Sequence, residues 1–347
     1  MKIGFVINEI ATELVNYSTT HMALAALKRG HEIWYIEVAD FALDADEMVH
    51  AHARQPPRHN FRTAGPFLRA MQSGDARKER ITVDMLDILM LRNDPSRTDP
   101  TKAWARTAPT NFARLALRHG VIVLNDPDGL SHAANKMYLE QFPKSVRPRS
   151  TITRSTGDIK AFIRAEGGTI ILKPLTGSGG HNVFKIGPDE PNVNQIIDAV
   201  VSEGYALAQQ YLPAASKGDV RLFMMNGQIM EKDGKLAALH RAGPEGEIRS
   251  NLTIGGKAEK VSLTDTMREI AEVVRPRLVK DGMFLVGLDV VEDKLMEINV
   301  FSPGGLVGAG RLNKISFEDM VVDALELKVT HMGHDPRRYS NAEIATL

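Results

Sequence analysis

The residues able to do chemistry fall into three groups. The first is the run Lys173-Pro174-Leu175-Thr176-Gly177-Ser178-Gly179-Gly180. Three glycines in four positions let backbone N–H groups turn outward and close on an anion. Lys173 ends the apolar stretch TIILK and adds a fixed positive charge, so the set suits a polyphosphate. It is not a P-loop, because the lysine precedes the glycines and no Gly-Lys-Ser/Thr follows. Nor does it open a helix in the manner of a dinucleotide fingerprint, since strand-like residues 183–186 come next. A plain glycine hairpin has the same outline, and shape alone leaves both readings open.

Asp289, Glu297 and Asn299 make the second group. Glu297 and Asn299 stand two apart on an apolar strand and therefore point to one face. A hairpin turn centred on Asp293 sets Asp289 opposite Glu297, on that same face. Neighbouring carboxylates repel unless a cation lies between them. Hard oxygen donors select Mg2+ or Mn2+, usually together with phosphate oxygens. The bland alternative, polar residues on a half-exposed sheet, fits poorly with such apolar flanks. The third group is Arg92, Arg221, Arg241 and Arg249. Arginine grips carboxylates and phosphates through paired bonds, although any one of the four can equally be a surface ion pair. Arg92 follows ILML at the carboxyl end of a predicted parallel strand, where α/β sheets place ligands. The histidines show no metal-binding spacing, and no Gly-x-Ser-x-Gly elbow is present.

Apolar periodicity predicts the elements that must hold these groups. Strands over 2–7, 32–38, 88–91 and 121–124, with helices over 19–28 and 107–119, give an open α/β unit with a parallel sheet. Residues 51–80 are polar, carry HARQPPRHN, and read as an excursion or flexible loop. A second unit has a helix over 135–141, a linker over 143–148, a strand over 169–173, the glycine loop, a return strand over 183–186 and a helix over 192–203. A third has strands over 207–211, 220–225 and 228–231, a helix over 265–279, strands over 284–291 and 295–300, and a last helix over 316–328. The predicted domains are therefore 1–128, 129–206 and 207–330, with 331–347 an extension carrying no chemistry.

Composition narrows the class. The 347 residues are 43% hydrophobic and 25% charged, as in an ordinary globular chain. The 43 basic residues balance 43 acidic ones, which argues against nucleic acid as the main partner. The absence of cysteine excludes disulfides, thiolate metal sites and cysteine nucleophiles. No apolar run is long enough to span a membrane, and MKIGFVINEI lacks the pattern of a signal peptide, so a cytoplasmic location is expected.

Taken in order, NKMYLEQFP, IILKPLTGSGG, LAQQYLPAASKGDVR, GEIRSNLTIGG and GLDVVEDKLMEINVFSP resemble the bacterial glutathione synthetases of the ATP-grasp superfamily. IGFVINEI, AALKRGHEIWYIEVADFAL and LMLRNDPSRTD are similar to that family as well, so the likeness covers about residues 2–328. It implies an ATP-grasp fold (α/β with α+β elements) behind an N-terminal open α/β, or pre-ATP-grasp, domain. It also implies residue roles. Lys136 and Lys173 contact ATP phosphates, and Thr176, Gly177, Ser178, Gly179 and Gly180 close over them. Gln209, Gln210, Tyr211 and Leu212 form the hinge that binds adenine, and Asp219 reaches the ribose. Asp289, Glu297 and Asn299 hold Mg2+, and Arg221 and Arg241 stabilise the transferring phosphoryl group. Arg92, Arg249, Asn251, Ser302, Gly304 and Gly305 face the substrates. A homo-oligomer, a dimer or tetramer, is implied too.

Three departures touch the substrate side. Asn93 stands where the family pattern has lysine, Phe301–Gly308 replaces the usual Thr-Ser-Pro-Thr continuation, and the stretch between Gly227 and Arg241 is longer than usual. The reading is an ATP- and Mg2+-dependent ligase joining γ-glutamylcysteine to glycine through an acyl phosphate. The alternative keeps the chemistry and changes the acid or the amine. A nucleotide-binding protein without catalysis needs a lost lysine or metal ligand, and none is lost. A nicotinamide dehydrogenase lacks its glycine fingerprint after the first strand.

Overall fold

The structure is a computed structural model and describes residues 1–177, 180–243, 257–334 and 338–347. The chain opens with β1 (Lys2–Ile7), α1 (Ser18–Lys28), β2 (Glu32–Leu43), β3 (Val49–Gln55), α2 (Ala64–Gln72) and β4 (Arg77–Thr82). Then follow β5 (Ile88–Leu91), α3 (Ala108–Ala116), β6 (Ile122–Leu124) and α4 (Pro127–His132). The strands form one sheet in the order β4-β3-β2-β1-β5-β6. β1 pairs parallel with β2 and β5, and β5 parallel with β6, as expected for buried apolar strands linked through helices.

Residues 51–80, expected as a loop, instead extend this sheet through β3 and β4. In β3 the small residues Val49, Ala51 and Ala53 are buried, while the histidines and Arg54 between them are more open. Alanine is a weak strand former, which is why the alternation escapes a sequence reading. At the edge, β4 presents exposed Arg77, Lys78, Glu79 and Arg80, charges that discourage pairing with another chain.

The middle of the chain contains β7 (Ser150–Thr153), α5 (Thr156–Ala165), β8 (Ile170–Pro174), β9 (Phe184–Ile186), α6 (Val193–Ser202) and β10 (Ala206–Gln210). Their antiparallel sheet runs β7-β10-β8-β9. The last part contains β11 (Asp219–Met225), β12 (Gln228–Ile229), β13 (Glu231–Lys232), β14 (Lys235–Leu236), β15 (Ala238–Ala242) and β16 (Lys257–Glu259). After these come α7 (Asp265–Lys280), β17 (Leu285–Val291), β18 (Lys294–Asn299), α8 (Leu306–Asn313), α9 (Phe317–His334) and α10 (Asn341–Thr346). A third sheet runs β16-β15-β11-β17-β18, with β12 beside β11.

Packing ties the first and third sheets together. One core joins Val6 and Trp34 to Leu222 and Leu288, and another joins Phe5 and Tyr35 to Phe223, Phe284 and Phe317. The middle sheet packs on a separate core of Ile159, Ile170, Leu172, Ile197 and Val200. The unit that carries the glycine loop therefore has its own interior.

Two further expectations change. Residues 136–141 form a 3-10 turn rather than an α-helix, started by the Asn135 side chain on the Met137 amide. The tail, expected as a plain extension, folds into α10, begun by a Ser340–Glu343 capping box. Asn341 pairs with both backbone groups of Val123 at 2.9 Å and so covers the edge of β6. No helix among the described residues is long and apolar enough to cross a membrane.

Candidate active site

The hairpin of β17 and β18 brings the predicted carboxylates together by an unexpected route. Val291 pairs with Lys294, so the turn is tighter than one centred on Asp293, and Glu292 takes a left-handed φ of 52°. A register shift between Val290 and Asp289 then makes Met296 an extra residue, and Asp289 pairs with Glu297 after all. On the neighbouring strand Arg221 is the partner of Asp289, and two residues earlier Asp219 is the partner of Arg241 on β15. Alternation along β11 puts Asp219 and Arg221 on one face.

The result is a buried cluster of charge. Asp289, Arg221 and Arg241 are 5%, 6% and 8% exposed. Arg221 grips Asp289 through Nε and through Nη2, the latter at 2.8 Å, and donates from Nη1 to the Gly304 carbonyl at 3.0 Å. Arg241 donates to Asp289 Oδ2 at 2.8 Å and to Asp219 at 2.7 Å. Burial alone would raise the Asp289 pKa, but the two arginines outweigh it and hold the carboxyl below its usual range. Gly287 makes this possible, because a Cβ there would lie 2.8 Å from Arg221 Cδ and 3.0 Å from Pro303 Cβ.

This geometry gives two of the expected residues protein partners. Asp289 Oδ2 accepts from Arg221, Arg241 and, at 3.3 Å, Asn299 Nδ2, while Oδ1 accepts, among the described residues, from Arg221 Nε alone and keeps a lone pair to spare. Asp219, expected at a ribose, is held by Arg241, because the register of β11 against β15 sets the two side by side.

In front of this cluster lies a cleft walled by Lys136, Lys173, Thr176, Gly177, Glu297, Asn299 and Ser302, together with Asp94, Ser96 and Phe301. Lys173 is half-buried on β8 and donates to Gln209 Oε1 at 3.0 Å. Burial lowers its pKa, against the opposing charges of Glu297 and Asp289. Lys136 donates to the Gly177 carbonyl at 2.8 Å, which ties the start of the glycine loop to the 3-10 turn. Burial takes its pKa down to about 8, with Glu297 pulling upward and Lys173 downward. Two half-buried lysines thus face one carboxylate across a cleft, an arrangement suited to a polyanion with a hard cation.

Other expected residues sit outside the cleft wall. Gln210 is fastened to Arg149, its N–H on the Arg149 carbonyl at 2.8 Å. The Tyr211 ring lies under Lys185 Nζ at 4.0 Å, and Leu212 is buried. Gln209 has a buried Nε2 with no acceptor among the described residues. Gly305 is the N-cap of α8 at φ 105°, so Gly304 and Gly305 serve the turn into that helix. Gly180 is left-handed at φ 78°. Ser178, Gly179, Arg249 and Asn251 lie outside the described residues. Arg92 is buried behind the wall, with Nη1 3.5 Å from the Phe301 carbonyl. The sequence reading missed Asn8, which brackets the segment after Arg92 through both backbone groups of Asp94, at 2.6 and 2.9 Å. One asparagine after a strand gives no periodic signal.

Comparison with known proteins bears on this site. Residues 135–314 match the family described as prokaryotic glutathione synthetase, ATP-grasp domain, and residues 1–131 match its N-terminal domain. A glutathione synthetase of Synechococcus elongatus is 35% identical over 338 residues, covering 95% of this chain and 99% of that protein. One from Vibrio cholerae is 34% identical over 343 residues, covering 96% and 100%. Among solved structures, the ATP-grasp ligase PsnB, complexed with a precursor variant, Mg and ADP, aligns with TM-score 0.62 at 16% identity, covering 94% of this chain and 98% of its own. D-alanyl-alanine synthetase A of Vibrio cholerae aligns with TM-score 0.58 at 13% identity, covering 95% and 98%. At such identities these structures speak to the fold, which is ATP-grasp.

Proposed function

The chain belongs to the prokaryotic glutathione synthetase family, and from that membership we propose how its residues carry the reaction. It is an ATP-dependent carboxylate–amine ligase that forms an amide bond, with γ-glutamylcysteine and glycine as the substrates. The observation that carries the residue assignment is the cleft in which Lys136 and Lys173 both face Glu297.

The acid's carboxylate oxygen attacks the γ-phosphorus of ATP, and ADP leaves. The amine nitrogen then attacks the acyl carbon, the C–O bond to phosphate breaks, and the amine's proton departs with phosphate or water. Lys136 and Lys173 neutralise the phosphates, and the loop from Thr176 covers them. Gln209 Nε2, which has no acceptor among the described residues, would meet the nucleotide base beside Gln210–Leu212. Arg221 and Arg241, already fixed by Asp289, present pre-oriented positive charge where negative charge develops, which needs no reorganisation during the reaction. The oxygens of Glu297 and Asn299, with Oδ1 of Asp289, suit a hard divalent ion, which we take as Mg2+ with Mn2+ as a substitute. Such an ion supplies charge neutralisation at the phosphates. A homo-oligomer in the cytoplasm completes the proposal.

One observation favours a second reading with a different acid or amine. Asn93, only 3% exposed, brings no positive charge to the position beside Arg92. The acyl-phosphate route is tested with 18O in the acid's reacting carboxylate. One labelled oxygen should appear in the released phosphate; unlabelled phosphate would overturn it.

A further inference from the structure

Between β18 and α8 the chain crosses residues 300–305, which carry no strand or helix of their own. Val300, Phe301 and Ser302 of this stretch wall the cleft, directly after Asn299. The β17–β18 ladder ends at the pair Gly287 and Asn299, so the sheet itself carries the stretch no further. Its carbonyls are held instead by side chains from three other places in the fold. Asn125, which follows β6, donates from Nδ2 to the Val300 carbonyl. Arg92, which follows β5, has Nη1 3.5 Å from the Phe301 carbonyl. Arg221, on β11, donates to the Gly304 carbonyl at 3.0 Å.

Asn125 is the anchor nearest to Asn299. It is 5% exposed and lies outside the cleft wall. Its Oδ1 accepts from the Leu285 N–H at 2.9 Å, and its Nδ2 donates to the Leu285 carbonyl at 3.2 Å as well as to Val300. One side chain thus takes up both main-chain groups of Leu285, two residues beyond the last ladder pair on β17. Both amide hydrogens and the oxygen are used, which fixes the side chain in one arrangement. The base of the anchor is pinned too. Asp126, the next residue, donates its N–H to the Gly282 carbonyl at 3.0 Å and caps α4 through Oδ1. Asn8, which follows β1, holds another part of the wall in the same manner, through Asp94.

We propose that Asn125 is a positioning residue for the ligation: by holding the Val300 carbonyl from behind, it sets where Asn299, Phe301 and Ser302 stand around the reacting groups. The proposal rests on the ligase reading of the cleft. Gly304 and Gly305 give the stretch little stiffness of its own, so its shape depends on its anchors. Without Nδ2 the buried Val300 carbonyl has lost its donor, and the backbone must shift to find water or another partner. A misplacement of about 1 Å at a reacting centre can cost about 100-fold in rate, so a bond behind the wall reaches the chemistry. ATP binding is spared, because Lys136 and Lys173 belong to the 3-10 turn and to β8. The stretch that Asn125 holds is also where the sequence departs from the family pattern, at Phe301–Gly308.

The test uses Asn125→Ala in the full chain and two readouts. Steady-state ADP release with ATP, Mg2+, γ-glutamylcysteine and glycine should show kcat lowered about tenfold or more, with KM for ATP within about twofold of wild type. The second readout needs no turnover. The chain has no cysteine, so Ser302→Cys offers a single thiol for a nitroxide label. Its electron paramagnetic resonance spectrum should sharpen when Asn125→Ala is added, as the wall gains freedom. A label at Ser202→Cys, exposed at the end of α6, should be unaffected. Should Asn125→Ala fail to fold, Asn125→Asp, which keeps the size and the acceptor for the Leu285 amide, is read in the same way. An unchanged spectrum at position 302, or an unchanged kcat, would overturn the proposal. So would loosening at both labels with KM for ATP rising in step, the mark of a merely structural role. A wild type that forms no amide from these substrates defeats the ligase reading instead. The spectrum at position 302 then decides whether Asn125 holds the wall.

Discussion

Replacing Asp289 by asparagine removes the charge that holds two arginines in the interior. Arg241 keeps Asp219, at 2.7 Å, but Arg221 keeps only the Gly304 carbonyl. The penalty is therefore that of one uncompensated buried cation, about 3–5 kcal/mol. Urea unfolding followed by circular dichroism reads it as a drop in midpoint at unchanged slope. The double variant Asp289→Asn with Arg221→Met should recover much of the loss, since no lone charge remains. The pH dependence has a definite sign. The arginines hold the folded carboxyl below its ordinary value of 3.8. Its contribution is thus complete above that value and fades as pH falls through the folded one. The difference between wild type and variant should shrink in acid. An Asp289→Asn protein as stable as wild type at neutral pH, or a double variant whose losses simply add, would refute this account of the cluster.

Glu297→Gln should fold normally and lose about 100-fold or more in kcat, because a hard-cation donor is gone while the strand pairing remains; steady-state ADP release checks it. Lys173→Met should raise KM for ATP by about tenfold through loss of one charge-assisted phosphate contact, measured at saturating acid and amine. Lys328 is fully buried and donates to Asn226, Ile344 and Leu347 at 2.9 to 3.0 Å, holding α10 in place. Lys328→Met should cost about 1–3 kcal/mol and speed hydrogen exchange over residues 341–346 while leaving that over β11 unchanged.

How much of this was legible in the sequence depended on the range of the signal. The buried strands β1, β5, β17 and β18 announce themselves as apolar runs, and the Lys173 run and the Glu297/Asn299 spacing are local patterns that survive folding. Three features were hidden because they arise from register or from contacts distant in sequence. The bulge at Met296 changes the route by which Asp289 meets Glu297. The pairing of Arg221 with Asp289 comes from β11 lying beside β17, 68 residues apart in sequence, and it makes Asp289 the holder of a buried arginine. Asn8 gives no local signal; only the fold sets it on both backbone groups of Asp94. The opposite error, reading 51–80 as loop, came from alanines that alternate without looking like a strand.

The central claim is that this chain couples ATP cleavage to amide formation from γ-glutamylcysteine and glycine. Mass spectrometry of a reaction containing the protein, ATP, Mg2+ and both substrates tests it most directly. The account predicts glutathione and ADP appearing in equal amounts, with neither formed when one substrate is withheld. ADP produced at the same rate without an amide product, or no ADP at all, would contradict it.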